Sequence, residues 1–496
     1  MNKSKITLIN IISNIILQFA TIVSGFIIPK IILSYFGSSV NGLVASLNQF
    51  LSYISLIEGG ITGVITASLY KPLIDKEYDK ISSILKTTKS FYNKIALIYI
   101  IYAISLAIIY PLVIKTDFSY FYIFCLTIIL SMNLLIQYLF SLTLQVLLNA
   151  DKKIYVVAFT KVVIIFLNII LAYVSVKIYP SIHLLKFLTG ILFIIQPFLY
   201  MKYVKKNYRL SNEVEENKEL IKNRWNGFAI NVAAFIHFST DLTILTALTD
   251  LVTVSIYSVY SLVSNGLRQI ISSITSSLNY SLGQTYAKGN RKEIYKKMEL
   301  YEFIVFNIIF ILFSVAALLI NSFVMIYTNN IDDANYNNPI FGVLLLVSEA
   351  IYLLKLPHLN LAYSANKFKE ITIPAYIEAI LNILVSIICV KKLGIIGVVI
   401  GTIVAMIYRM IFHIYFTKKI IGRSQRIFYK KLILFSFSSL IGIIICRKCC
   451  TGIKFSIFSW ILHAIIYSII ILLIFISLDY IFYKDDIKDI INYIFK

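Results

Sequence analysis

The sequence predicts an all-α polytopic membrane protein of about fourteen transmembrane helices, and three observations predict it. Of its 496 residues, 59% are hydrophobic and only 14% charged, against roughly 25% charged in a soluble domain. Apolar stretches near or above the ~20 residues that span a bilayer recur along the whole chain. Lys and Arg also alternate between the gaps. Of 46, 34 lie in or beside every second gap, counting both termini; 7 lie in the other gaps and 5 inside apolar stretches. Basic loops stay in the cytoplasm, so this alternation sets the topology.

The elements follow in chain order. The apolar run 6–28 after Met1-Asn2-Lys3-Ser4-Lys5 exceeds the ~7–15-residue core of a signal peptide and lacks a small-x-small cleavage site. It therefore reads as part of a first span, 6–34. Spans 40–69, 92–114, 118–149, 154–177 and 181–203 complete a first six. Spans 225–249, 251–285, 301–327, 339–364, 371–390 and 394–417 form a second six, and 432–449 and 454–479 add two more. The longer ones tilt or extend beyond the bilayer. Cytoplasmic connections fall at 70–91, 150–153, 204–224, 286–300, 365–370 and 418–431. The segment 328–338, with five Asn and no cation, faces outward. Lys161, about two turns inside the fifth span, is assigned to the cytoplasmic flank by snorkelling. An even number of spans puts both termini in the cytoplasm.

The polar segment 204–224, rich in Lys, Glu and Asn, is the central joint. It divides the chain into an N-terminal six-helix bundle (1–203), a linker (204–224), a C-terminal six-helix bundle (225–417), and two additional helices with a tail (418–496). Ser68-Leu69 and its charged sequel up to Ile81 match Ser281-Leu282 and the charged sequel up to Ile294 at a constant offset of 213, as repeated halves would.

Composition and motifs weigh against other classes. The net charge of +22 is dispersed over many short loops, so topology and anionic headgroups account for it and no nucleic-acid-binding stripe forms. The five cysteines give no disulfide framework. Cys446-x-x-Cys449-Cys450 lacks the second Cys/His pair of a metal site. No clustered acid/base constellation and no Gly-rich phosphate loop points to an enzyme.

Several spans carry a polar face. Asn10, Asn14, Gln18, Thr21 and Gly25 recur at helical spacing in the first, and Asn48, Ser52, Ser55 and Glu58 in the second. Ser261, Asn265, Arg268, Ser272 and Thr275 do so in the eighth. Such faces pack on other helices through hydrogen bonds or line water; three long ones favour a shared wet cavity. Ionisable residues inside spans mark function by default. Arg268 lies mid-span on its polar stripe. Lys355 lies past the middle of the tenth span, with Tyr352 and His358 on its side. Arg409, with His413 one turn on, lines a cavity or snorkels inward. Lys30, after Pro29, and Lys186 lie near the outer ends of their spans, within snorkelling reach of the interface. Glu58, Asp241, Glu349 and Glu378 are available ion-pair partners, with Asp241 the candidate for Arg268. His237 and Asp241, one turn apart, suit a proton relay or a Na⁺ site.

The stretch Tyr35-Phe36-Gly37-Ser38-Ser39-Val40-Asn41-Gly42-Leu43, continued by Gly59-Gly60 and Ser68-Leu69-Tyr70, resembles the first helical hairpin of bacterial polysaccharide (O-antigen type) flippases. These belong to the multidrug/oligosaccharidyl-lipid/polysaccharide exporter superfamily. Asp241 and Val254-Ser255-Ile256-Tyr257-Ser258-Val259 are similar to the matching hairpin of the second half, and Leu393-Gly394-Ile395-Ile396-Gly397 to the turn before the twelfth helix. The resemblance implies two six-helix bundles facing a central cavity, with alternating access in a bacterial cytoplasmic membrane. The implied cargo is an oligosaccharide on polyprenyl pyrophosphate, with the additional helices offering a groove to its lipid tail. Implied partners are membrane lipids, a polysaccharide polymerase and glycosyltransferases; no cofactor is implied beyond H⁺ or Na⁺ coupling. On this reading Arg268, Lys355, Arg409, Lys30, Asn265 and Tyr352 contact the anionic head. Asp241, His237, Glu58, Glu349 and Glu378 couple or form ion pairs. The rivals are a multidrug or toxin exporter of the same superfamily, a polysaccharide polymerase or membrane glycosyltransferase, and a channel.

Overall fold

A computed structural model describes residues 3–58, 60–211, 213–217, 228–449 and 456–484, with the side chains of 3, 4, 228–234, 236–238, 277 and 449 outside it. No β-strand occurs among the described residues. The chain is a multi-pass membrane protein: eleven of its described helices are long and apolar enough to cross a membrane. The first of these, Lys5–Glu58, covers two predicted spans, and the helices holding the predicted seventh and eighth spans are not among the eleven. In the eighth, the polar stripe dilutes the hydropathy that defines a span.

Two compact units emerge, Met1–Phe235 with Asp250–Ser255, and Ile236–Thr249 with Ile256–Lys496. The first unit opens on α1 (Lys3–Ser52), whose 50 residues would reach about 75 Å as one rod. A bilayer core is about 30 Å thick. The rod breaks at Gly37, whose φ of 82° is open to glycine and strained for other residues, so two spans meet inside the Tyr35-Phe36-Gly37 motif. Next come α2 (Ser55–Glu58), α3 (Ile61–Asp75), α4 (Tyr78–Val113), α5 (Tyr120–Ile136), a π-helical turn (Gln137–Ser141) and α6 (Leu142–Ala150). Then follow α7 (Ile154–Ile178), α8 (Ile182–Ile191), a 3₁₀ turn (Leu192–Ile194) and α9 (Ile195–Asn207). The core of this unit is apolar and tyrosine-rich, with Tyr92, Tyr99, Tyr138 and Tyr200 buried among Ile65, Leu69 and Leu147.

The first part of the linker is strapped along α4. Ser211 N donates to Ser82 Oγ at 3.0 Å and Asn217 N to Thr87 Oγ1 at 2.8 Å. In return, Ser83 Oγ donates to Glu215 O at 2.6 Å and Lys86 Nζ to Val214 O at 2.9 Å. Tyr208 donates to Asp151 at 2.5 Å, and burial, reinforced by that carboxylate, raises the Tyr208 phenol well above its ordinary pKa.

The second unit holds most of α10 (Phe228–Leu248) and α11 (Leu251–Ala287), then α12 (Arg291–Tyr327), α13 (Pro339–Leu354) and α14 (Leu356–Ser364). It continues through α15 (Phe368–Leu393), α16 (Ile395–Ile421), α17 (Gln425–Cys449) and α18 (Ile457–Phe482). The added pair α17–α18 packs on α12. Phe435 meets Phe306, Phe310 and Phe475, Ser314 and Ser439 hydroxyls lie 2.7 Å apart, and Trp460 donates to Leu319 O. The α15–α16 hairpin is closely packed: a Cβ on Gly401 would lie 2.1 Å from Ser386 Oγ and 2.7 Å from Ser386 N. Gly401→Ala is therefore expected to lower stability by about 1–3 kcal/mol through overpacking. Thermal unfolding followed by size-exclusion chromatography checks this, and an unchanged melting temperature would refute the close approach.

The connections 70–91, 286–300 and 418–431 are mostly helical: α4 begins at Tyr78, α12 at Arg291, and only 422–424 separates α16 from α17. Hydropathy marks where lipid ends, whereas backbone hydrogen bonding continues the helix into water. Basic amphipathic segments beyond a span extend it.

Candidate functional site

The predicted acids and bases of the second unit meet in three groups among the described residues. The first is built where α13 gives way to α14. Pro357 supplies no backbone donor, and the helix restarts around Lys355, which caps one segment and opens the next. Lys355 is only 3% exposed. Its Nζ lies 3.7 Å from Glu378 Oε1, 3.5 Å from Met406 Sδ, and 4.7 Å above the Tyr352 ring. From α16, Arg409, 4% exposed, brings Nε to 3.3 Å from Glu378 Oε2 and donates to His413 Nε2 at 2.9 Å. Two buried cations thus share the Glu378 carboxylate, and Arg409 Nη1 is buried with no hydrogen-bond partner. A buried donor without an acceptor carries the full desolvation penalty.

The second group lies on α11 and α13. Arg268 reaches Glu349 Oε2 at 3.4 Å and donates to Asn265. Glu349 keeps its other oxygen buried and without a partner. The predicted Arg268–Asp241 pair is not formed. Glu349 takes Arg268, and Glu378 on another helix takes Lys355.

Asp241 instead forms the third group, which has no cationic partner among the described residues. It accepts from Tyr257 Oη at 3.1 Å, and its two oxygens lie 2.8 and 2.9 Å from Thr402 Oγ1. Val398 O lies 3.2 Å from the same hydroxyl. One hydroxyl proton cannot serve three acceptors, so oxygen lone pairs exceed protons here. Asn382 and Ser386 extend the cluster, with Asn382 Nδ2 3.3 Å from Thr402 Oγ1 and Ser386 Oγ 3.1 Å from Val398 O. Such an arrangement can take up a proton or a small hard cation. The side chain of His237 lies outside the described residues.

His358 does not share the Lys355 site as its spacing suggested. It turns to Glu302, 3.0 Å away, and to Thr417 Oγ1 at 2.8 Å. Glu302, 0% exposed, also takes both guanidinium nitrogens of Arg423 and stands 3.9 Å from Lys431. Sequence reasoning missed this cluster, since Arg423 and Lys431 are two of many loop cations; the signal was one acid, Glu302, at the start of an apolar run. In the first unit, Glu58 accepts from Tyr138, Lys30 is half-buried in α1 after Pro29, and Lys186 lines a partly open cavity.

No protein-family model matches the chain, and no curated protein does. Among solved structures, the lipid II flippase MurJ in an inward closed conformation matches with a TM-score of 0.68 at 19% identity, covering 96% of this chain and 100% of its own. An inward-facing multidrug resistance MATE family transporter of the MOP superfamily matches with 0.68 at 12% identity, covering 80% and 95%. The MATE multidrug transporter DinF-BH gives 0.63 at 13% identity, covering 85% and 96%. The helix order, the break at Gly37 and the tight α15–α16 hairpin thus belong to a chain with the all-helical fold seen in these flippase and MATE transporter structures.

Proposed function

We propose that this chain is a flippase. It moves an oligosaccharide unit carried on polyprenyl pyrophosphate from the cytoplasmic to the outer leaflet of a bacterial cytoplasmic membrane by alternating access, for surface polysaccharide synthesis. The observation that carries this reading is the charge imbalance at Glu378, where Lys355 and Arg409 share one carboxylate and a guanidinium nitrogen has no acceptor. A pyrophosphate supplies such acceptors, in a geometry that suits Arg's planar fork and Lys's point charge. Lys355, Arg409, Tyr352, Arg268, Asn265 and Lys30 are the proposed contacts to the anionic head. Coverage adds support: the lipid II flippase accounts for nearly the whole chain, whereas the two multidrug transporters leave a share comparable to segment 418–496. A polymerase and glycosyltransferases are the proposed partners, and both termini are proposed to be cytoplasmic.

Asp241, with Thr402, Asn382 and Val398 O, is proposed to couple transport to H⁺ or Na⁺. The test is reconstitution into proteoliposomes with a fluorescent polyprenyl-pyrophosphate oligosaccharide and, separately, an organic-cation dye. Flipping of the lipid, driven by a pH or Na⁺ gradient, is expected, with Asp241→Asn slowing gradient-driven flipping about tenfold, as intramembrane acids do in transporters. A protein that moves the dye and leaves the lipid would favour the second reading, a multidrug exporter, which the equal TM-score of 0.68 to a MATE transporter keeps in view.

A further inference from the structure

Lys161 and Lys186, inside helices of the first unit, have no charged companion among the described residues. Lys161 lies two turns into α7 and Lys186 one turn into α8. These helices run antiparallel through the short turn 179–181, so the lysines sit toward opposite ends of the bundle. Among the described residues neither ammonium group has an ion-pair or hydrogen-bond partner. In the second unit, by contrast, Arg268, Lys355 and Arg409 each meet a carboxylate within 3.7 Å.

Each lysine lines a cavity. That of Lys186, about 190 Å³, is shared with Asn48, Asn133 and Asn168. That of Lys161, about 310 Å³, is shared with Thr21, Gln137 and Gln196. No carboxylate lines either one. Phe193 borders both, and Gln137 Nε2 donates to Asn133 Oδ1 at 2.8 Å, so a polar file runs from one lysine toward the other. Asn168 holds a buried amide oxygen without a partner; turned end for end, that amide offers its NH₂. The helices are irregular at this level. Gln137 opens the π-helical turn and Phe193 sits in the 3₁₀ turn, and both features are frequent at functional sites or hinges.

An ammonium group inside a bundle is costly unless an opposite charge meets it. Here the protein supplies donors and no anion. We propose that these linked cavities bind a compact anion, with Lys186 and Lys161 as its two stations and Phe193 dividing them. The anion is either a free inorganic one, such as chloride or phosphate, or the pyrophosphate head of a lipid-linked cargo; only the latter rests on the flippase reading.

The test uses the full chain in nanodiscs of neutral phosphatidylcholine, with equilibrium dialysis of radiolabelled chloride and of labelled pyrophosphate. Saturable binding of at least one is expected, weakened about tenfold or more by Lys186→Gln and by Lys161→Gln. The surface control Lys89→Gln should leave it unchanged. Chloride binding that pyrophosphate does not displace assigns a free inorganic anion and holds even if flipping fails. Displacement by pyrophosphate assigns the cargo head. Should Lys186→Gln not fold, Lys161→Gln reads the same file from its other end. No saturable binding of either anion by the wild-type chain would overturn the proposal, as would unaltered affinity in a folded Lys186→Gln/Lys161→Gln variant.

Discussion

Glu302→Ala is expected to cost about 3–5 kcal/mol, the range for removing one partner of a buried ion pair. Glu302 is fully buried and faces three basic side chains from three places: Arg423 in the α16–α17 turn, His358 on α14 and Lys431 on α17. Its two oxygens take both terminal nitrogens of Arg423, the arrangement in which charge-assisted hydrogen bonds are strongest. With Ala in its place, Arg423 loses the carboxylate that takes both its terminal nitrogens and Lys431 loses the one 3.9 Å away, while both stay buried. The loosened parts should be α17 and the turn before it, which the cluster holds against α12. Heating detergent-solubilised protein and following its monodisperse peak reads the loss. Glu302→Leu combined with Arg423→Leu should melt higher than Glu302→Ala, because a buried pair removed together leaves less uncompensated charge. A double variant less stable than the single one would show that the cluster acts by shape and packing instead of charge.

Much of the fold was legible because the bilayer imposes it. Apolar length depends on solvent, and solvent partitioning is written residue by residue. Helix ends were less legible. The segments 78–91 and 291–300 are basic and amphipathic, and nothing in their hydropathy separates a loop from a helix leaving the membrane. Gly37 was visible as a motif residue, but its left-handed φ, which divides a 50-residue helix, follows from geometry that composition does not carry.

The site was legible in inventory and illegible in pairing. Arg268, Lys355, Arg409 and the acids Asp241, Glu349 and Glu378 stand out because charge is rare in spans. Which acid meets which base depends on helix rotation, and a rotation of one residue, about 100°, changes the partner. Hence the sequence offers Asp241 as a candidate for Arg268, whereas Glu349 faces Arg268 and Asp241 faces Thr402. Arg409 and His413 were legible because a spacing of four lies within one helix and fixes the contact, here 2.9 Å. Glu302 was overlooked because Arg423 and Lys431 fall in the connection 418–431, which topology already explained. Once topology accounts for a cation, nothing in its sequence context raises the question of burial.

Lys355→Ala is expected to abolish flipping while leaving the protein as stable as the wild type or more so. Glu378 now serves two cations, at 3.7 Å from Lys355 and 3.3 Å from Arg409. Removing Lys355 leaves Arg409 and Glu378 as a balanced pair and deletes one buried ion, whose burial in a span costs at least about 2.5–3.5 kcal/mol. The void left by its alkyl chain offsets part of that gain. Glu378→Gln should do the opposite, leaving two adjacent cations unneutralised and destabilising the α13–α16 region by several kcal/mol, on the order of 3–5. Transport should fail in both variants, so stability separates the two causes. If Lys355 serves only charge balance, Lys355→Ala will flip cargo at the wild-type rate, and the cargo-binding role falls. If it contacts the anionic head, Lys355→Arg should restore part of the rate, and Lys355→Ala with Glu378→Gln should restore none. The measurement is initial flipping rate in proteoliposomes matched for folded protein, set beside the melting temperature of each variant. Recovery of flipping in the double variant would assign Lys355 to balancing Glu378 and return the search for the cargo site to Arg268 and Arg409.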